Sequence, residues 1–316
     1  MKIITPSVER ITETDPLKKI ELAGRTCYKS EDKITETSAA KFVEDKVKLG
    51  HESVIEHAQF ILKMPIKSYQ RVRKAIYAIE DCGVNIMLRT TNIKVPIISG
   101  NARMWRDFFR ACVYYDVPIP GELLKLAADN PVLFPEYAEL GAEFNDDSPI
   151  TYVTDPESLS YLEMQIHVTA TFKITCDRGV THELVRHRTA SFSQESTRYC
   201  NYSKGKYGGE ITVIKPNYWS DRSTQYATWV NAMQTSEDLY LTLINLGASA
   251  QESRAVLPNS LKTELIMSAT LEEWRHILEL RCDPAAHPQC RQVCALILAD
   301  LQNEFPYHFE GIPDVR

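Results

Sequence analysis

Proline is spread unevenly along this chain, and that unevenness limits the possible folds more than any other feature. Eight of the sixteen prolines lie between Pro65 and Pro156. A proline ring clashes inside a helix and cannot donate to the ladder of a central strand. That stretch must therefore be built from short, interrupted elements, and it ends in an acidic, turn-rich patch, "AELGAEFNDDSP". It reads as a long insertion in a more regular fold. Within it, "NARMWRDFFRACVYY" sets Trp105, Phe108, Phe109 and Cys112 at helical spacing, which predicts a folded segment rather than a tail.

The flanks are more regular. "DPLKKIELAGRTCYKS" predicts a short helix ending near Gly24, and "SAAKFVEDKVKLGHES" a second that stops at Gly50, a residue suited to a helix C-terminus. "AQFILKM" reads as a strand. "HVTATFKITCD" alternates like a strand and leads through Gly179 into a helix carrying Arg186. Further on, "WVNAMQTSEDLYLTLINLGASAQESRAVLP", "LEEWRHILELR" and "QCRQVCALILADLQNEF" are helical in pattern. Cys290 and Cys294 share a helix face with Val293 and Ile297, which makes them core residues. The eight cysteines have no paired CxxC spacing, as expected for reduced thiols in a cytosolic protein.

The 316 residues are 44% hydrophobic, enough for a sizeable core, and carry a net charge of -6. An acidic balance argues against a general nucleic-acid or membrane-surface binder, so functional basic residues must be local. No signal peptide and no run of eighteen apolar residues is found, and a soluble, cytoplasmic protein is expected.

One local concentration is "RHRTASFSQESTR". Its arginines, Arg186, Arg188 and Arg198, flank a Ser-rich segment and suit a dianionic phosphate, because guanidinium forks bind its oxygens bidentately and stay charged. The plainer alternative is a solvated basic face. In "LEEWRHILELR", Trp274, Leu278 and Arg281 fall on one stripe. An arginine there is costly to bury unless it meets an anion or polar ligand, the alternative being a snorkelling side chain favoured by the helix dipole. "HESVIEH", with His51, Glu56 and His57, departs from the HExxH zinc helix, so no metal site is expected; Ser53 and Glu56 remain as hydrogen-bonding groups.

These residues converge on one family: the chain resembles flavin-dependent thymidylate synthases. The signature RHR, seven residues, Ser, any residue, Arg stands complete as Arg186-His187-Arg188, "TASFSQE", Ser196-Thr197-Arg198. "HESVIEH", "ESRAVLPNSLKTEL" and "EWRHILELR" resemble the family's other blocks, in the right order. The resemblance implies an α/β (α+β) fold, a mixed sheet flanked by helices, with residues 1–64 and 171–316 forming the family core and 65–170 inserted. It implies conversion of dUMP to dTMP, with 5,10-methylenetetrahydrofolate supplying the one-carbon unit and NADPH the hydride by way of FAD, in a homotetramer. By motif position, Ser53, Glu56, Arg186, His187, Arg188, Gln194 and His276 would contact FAD. Glu183, Arg186, Gln194, Glu195, Ser196, Thr197, Arg198, Arg254 and Arg281 would hold dUMP. Ser196 and Arg281 would be catalytic, Arg281 by polarising the uracil as N3 ionises. Glu183 stands where glutamine is common in the family, and the segment after Arg281 is longer than usual, so His287 is not assigned to the flavin. The competing reading is a non-catalytic flavin- or nucleotide-binding regulator on the same fold.

Overall fold

The computed structural model describes residues 1–92, 95–142 and 150–313. In chain order the first elements are β1 (Lys2–Ile4), β2 (Ser7–Arg10), α1 (Pro16–Tyr28), α2 (Ser38–Lys48), β3 (Gln59–Lys63) and α3 (Ile66–Asp81). There follow β4 (Arg89–Asn92), β5 (Pro96–Asn101), α4 (Ala102–Tyr114), α5 (Gly121–Asp129), α6 (Pro135–Ala142), β6 (Thr151–Tyr152) and α7 (Tyr161–His167). The C-terminal half carries β7 (Thr169–Asp177), α8 (Arg178–Leu184), β8 (Ser191–Gln194), β9 (Thr212–Ile214), α9 (Thr224–Asn245), α10 (Ala250–Ser253), β10 (Lys262–Thr270), α11 (Leu271–Arg281) and α12 (Pro288–Glu304). The class is the expected mixture of helix and sheet, with the strands divided among three small sheets. No helix among the described residues is long and apolar enough to cross a membrane.

Two compact units result: residues 1–12, 23–32 and 170–316 form one, and 13–22 with 33–169 the other. In the first, four strands run in the order β2-β7-β10-β8, beside a separate parallel pair of β1 and β9. Every residue of β10 after Lys262 is buried, as a central strand covered on both faces requires. Trp274 of α11 packs edge-on against Phe172 of β7 and donates its indole N–H to the Ala170 carbonyl at 2.9 Å. That contact satisfies the polar edge of a fully buried ring.

In the second unit an antiparallel sheet runs β4-β5-β3-β6. Trp105, Phe108, Phe109 and Phe134 fill its core, so the helical spacing in "NARMWRDFFRACVYY" does mark a packed face. Asn101 caps α4 by accepting from the Met104 N–H at 2.9 Å. The inserted segment expected at 65–170 is built into this larger unit, because β3, which precedes it, is a central strand of its sheet. Of the acidic patch, residues 138–142 belong to α6 and 143–149 lie outside the described residues.

The helix expected to stop near Gly24 runs on to Tyr28. A mid-helix glycine costs only about 0.5–1 kcal/mol relative to alanine, and burial of Ile20, Ala23 and Thr26 offsets that. The stop comes at Lys29, in the left-handed region at φ 49°, where Ser30 N–H reaches back to the Arg25 carbonyl and Lys29 N–H to Thr26. Glycine normally fills that position. At Gly50, φ 68°, the helix stop falls where expected.

Candidate active site

The short helix α8 is fixed at both ends by side chains. Asp177 caps its start, Oδ1 accepting from the Val180 N–H at 2.9 Å, while Oδ2 accepts from the Gln289 amide of α12 at 2.9 Å. Burial pushes the Asp177 carboxyl above its ordinary range. The last helical bond closes from Val185 N–H to the Thr181 carbonyl, after which the chain tightens into i→i+3 turns from Arg186 to Glu183 and from His187 to Leu184. Arg186 therefore sits just past the helix, not on it as expected.

Arg281, the last residue of α11, reaches this turn. Its Nε donates to His187 Nε2 at 3.1 Å, Nη1 to Glu183 Oε2 at 2.9 Å, and Nη2 to the Glu183 carbonyl at 3.1 Å. The last contact adds a second donor to the Glu183 carbonyl, at the end of the helix dipole that favours a cation. Because Nε2 accepts, the proton of a neutral His187 sits on Nδ1, which faces Glu273 Oε1 at 3.8 Å. Burial, then the Arg281 charge, lowers the His187 pKa below the usual histidine value. The His276 ring lies 6.0 Å from that of His187, edge-on.

β8 carries the signature onward. Antiparallel pairing with β10 sets Gln194 opposite Leu265. The Gln194 amide nitrogen donates to the Thr181 and Thr263 hydroxyls at 3.0 and 3.2 Å, leaving its oxygen as the acceptor. Successive strand side chains face opposite ways, and Glu195 is accordingly buried elsewhere, Oε2 accepting from Lys262 at 2.8 Å. Lys262, Lys29 and Lys173 converge on Glu264 at 2.6, 2.7 and 2.8 Å. Burial alone would raise the Glu264 pKa, but the three lysines outweigh it and hold the carboxyl far below the usual range. A cavity of about 620 Å³ opens beside Lys29, Glu195, Tyr202 and Lys262; Arg281, His187 and Arg198 do not line it.

Thr197 is buried, and Ser196 sits in a turn whose Tyr199 and Cys200 N–H groups donate back to its carbonyl. The Ser196 hydroxyl accepts from the Arg198 N–H at 3.3 Å. Arg198 is exposed over the Tyr199 ring, and Arg186, Arg188 and Arg254 are exposed with no carboxylate partner among the described residues. His287 caps α12, Nδ1 accepting from the Gln289 N–H at 3.3 Å. Ser53 and Glu56 belong to the other unit, on a 3-10 turn over Glu52–His57, with Glu56 accepting from Arg103 at 2.8 Å. His57 on that turn is pushed down to about 3 by burial and by the Lys19 charge. No group of three or more potential metal ligands occurs among the described residues.

The first unit thus brings Glu183, His187, His276 and Arg281 together and ties Gln194 to α8 through Thr181. Sequence reasoning missed Glu273, Thr181 and Thr263. Glu273 stands three residues from His276 on α11, a spacing that marks a shared face. Thr263 meets Gln194 only through the register of β8 on β10, for which the sequence carries no local signal.

The family described as "Thymidylate synthase complementing protein" matches residues 10–76 and 136–307. The chain is 35% identical over 149 residues to a flavin-dependent thymidylate synthase of Pyrococcus furiosus, the alignment covering 46% of this chain and 60% of that protein. It is 31% identical over 153 residues to the enzyme of that name from Geobacter sulfurreducens, covering 48% and 64%. The chain therefore spans about three fifths of the length of the curated relatives it matches. Among solved structures, a UMP/dUMP methylase PolB from Streptomyces cacaoi bound with 5-Br dUMP aligns over 98% of this chain and 96% of that one, at 15% identity and a TM-score of 0.42. The family match takes in well over half of the chain, including the complete RHR signature and the helix whose arginine grips that signature's histidine; the chain belongs to the thymidylate synthase complementing protein family.

Proposed function

We propose that the chain is a flavin-dependent thymidylate synthase that converts dUMP to dTMP, with 5,10-methylenetetrahydrofolate as the one-carbon donor and NADPH as the reductant of FAD. The observation that carries this reading is the convergence of Arg281 on the RHR segment, supported by the names of the relatives. The donor set suits a dinucleotide diphosphate: Arg186 and Arg188 are exposed guanidiniums without a described carboxylate partner, flanking a buried, neutral imidazole. The bound flavin supplies the hydride.

The rest of the work falls to this chain's own side chains. Arg198 and the Ser196 hydroxyl hold the 5′-phosphate, with Arg254 and Arg186 as further cations. The Gln194 amide, its nitrogen already committed to Thr181 and Thr263, offers its oxygen to a ring N–H. Arg281 is pre-aligned by three contacts and stabilises negative charge on the pyrimidine as N3 loses its proton, without reorganisation at the moment of reaction. Glu195 and Thr197 are both buried, Glu195 accepting from Lys262. Ser53, Glu56 and His276 complete the flavin contacts in a homotetramer.

Purified protein given FAD should show bound flavin in its absorbance spectrum, and dUMP should perturb that spectrum. With all four small molecules present it should form dTMP, detected by chromatography, and omission of any one should abolish product. Failure to retain flavin at saturating FAD would overturn the reading.

A further inference from the structure

Glu183 meets Arg281 twice, through its carboxylate and through its carbonyl, and His187 meets the same guanidinium from a third direction. Three of the five guanidinium N–H groups are occupied in this way. The contacts are not equivalent. The carbonyl and the neutral imidazole orient the guanidinium and leave its charge intact, whereas the carboxylate orients it and also opposes its charge. The pair is screened only in part, with side chains 16% and 27% exposed. Among the described residues, the titratable groups near Arg281 include His187, with Glu273 and His276 of α11 behind it, and the Cys294 thiol of α12, which feels the Arg281 charge and lies beside Cys282 and Cys290.

We propose that Glu183 is a positioning residue that holds Arg281 in line with the pyrimidine while tempering the positive field the arginine presents, so that an ionised ring is stabilised without being over-bound. The inference rests on reading Arg281 as the residue that faces the pyrimidine. It separates two jobs that one ion pair performs, alignment and charge balance. Glutamine at 183 would keep an acceptor for Nη1 and lose the charge; alanine would lose both.

The test compares wild type, Glu183→Gln and Glu183→Ala, each loaded with FAD, in titrations with dUMP and with 5-fluoro-dUMP. The pH is chosen so that the fluorinated ring is largely ionised and the plain ring is not. Glu183→Gln should bind the fluorinated nucleotide about tenfold more tightly, as expected when one opposing charge is removed near a fixed cation, with dUMP affinity changed by less than about threefold on the same basis. Glu183→Ala should weaken both nucleotides, because the guanidinium is no longer held. Flavin retention, followed by absorbance, should be the same in all three proteins. If wild type binds dUMP but Glu183→Gln shows no preference for the ionised ring, Glu183 is a structural tether only and the inference falls. If wild type binds neither nucleotide, the proposed substrate falls with it.

Discussion

At the scale of single residues, the site turns on what each arginine already touches. Arg281 is aligned by three contacts within the chain, so Arg281→Ala should lower dTMP formation by about 10²-fold or more, the usual effect of removing one pre-organised donor. NADPH-driven flavin reduction, followed by stopped flow, should proceed at close to the wild-type rate; dTMP formation at that rate would remove the electrostatic role. Arg198 is held by little besides the Tyr199 ring, so its guanidinium is available for a phosphate. Arg198→Ala should weaken dUMP binding by about 1.5–3 kcal/mol, the range for hydrogen bonds to charged groups, and leave FAD binding nearly unchanged. Equal loss of both ligands in titration would make the residue structural. Cys200, two positions on, is 1% exposed among Tyr202, Ile211 and Trp229, a setting that suits a packed thiol rather than a nucleophile. Cys200→Ala should keep dUMP-dependent methylation at a stability cost of about 1 kcal/mol; a variant that binds both ligands and makes no dTMP would point to a covalent adduct, to be sought by mass spectrometry.

At the scale of elements, the site is made where two helices end. The C-terminus of α8 offers carbonyls and the C-terminus of α11 offers a cation, so the two meet at Glu183 and Arg281. That meeting depends on the start of α8, where Asp177 both caps the helix and holds the buried Gln289 amide. Asp177→Ala removes a cap, at about 0.5–2 kcal/mol, and leaves Gln289 unpaired, at about 1–3 kcal/mol. Its urea midpoint should fall accordingly, and its dUMP affinity should fall as α8 loosens. Asp177→Asn keeps an acceptor for Val180 but loses the one that Gln289 uses, so it should recover only the capping part of that loss. Equal destabilisation by the two substitutions would show that charge, not capping, matters at this position.

For the whole molecule, the two units should answer acid differently. His57 and His167, both in the unit of residues 13–22 and 33–169, are pushed down to about 3 and about 4, chiefly by burial. Their unfolded forms take up protons near the ordinary histidine value while the folded forms do not, so stability is present above about pH 6.5 and declines as pH falls toward the folded values. Between pH 7 and pH 5 each histidine should remove about 2 kcal/mol. In the other unit, Glu264 is held far below its ordinary value, and its contribution is kept until pH falls below the usual carboxylate range. Hydrogen exchange at pH 7 and pH 5 should therefore show the unit that holds His57 and His167 losing protection first. Loss of protection in both units together over that interval would mean that other groups control acid unfolding.

Local order in the sequence was enough to establish much of this. The helical spacing of Trp105, Phe108 and Phe109, the alternation of "HVTATFKITCD", the helix stop at Gly50 and the RHR signature all follow from interactions within a few residues, and each is found as read. Even the burden on Arg281 was legible, since Trp274 and Leu278 share its stripe and are both buried. The end of α1 was not, because a glycine inside a helix is a weak signal that packing overrides, and the left-handed stop fell to a lysine. Nor could sequence decide that Glu183 partners Arg281 across 98 positions, that Thr263 holds Gln194 across 69, or that Glu195 turns away to Lys262. Those pairings depend on strand register and on where two helices end in space, and only the packed tertiary structure determines both.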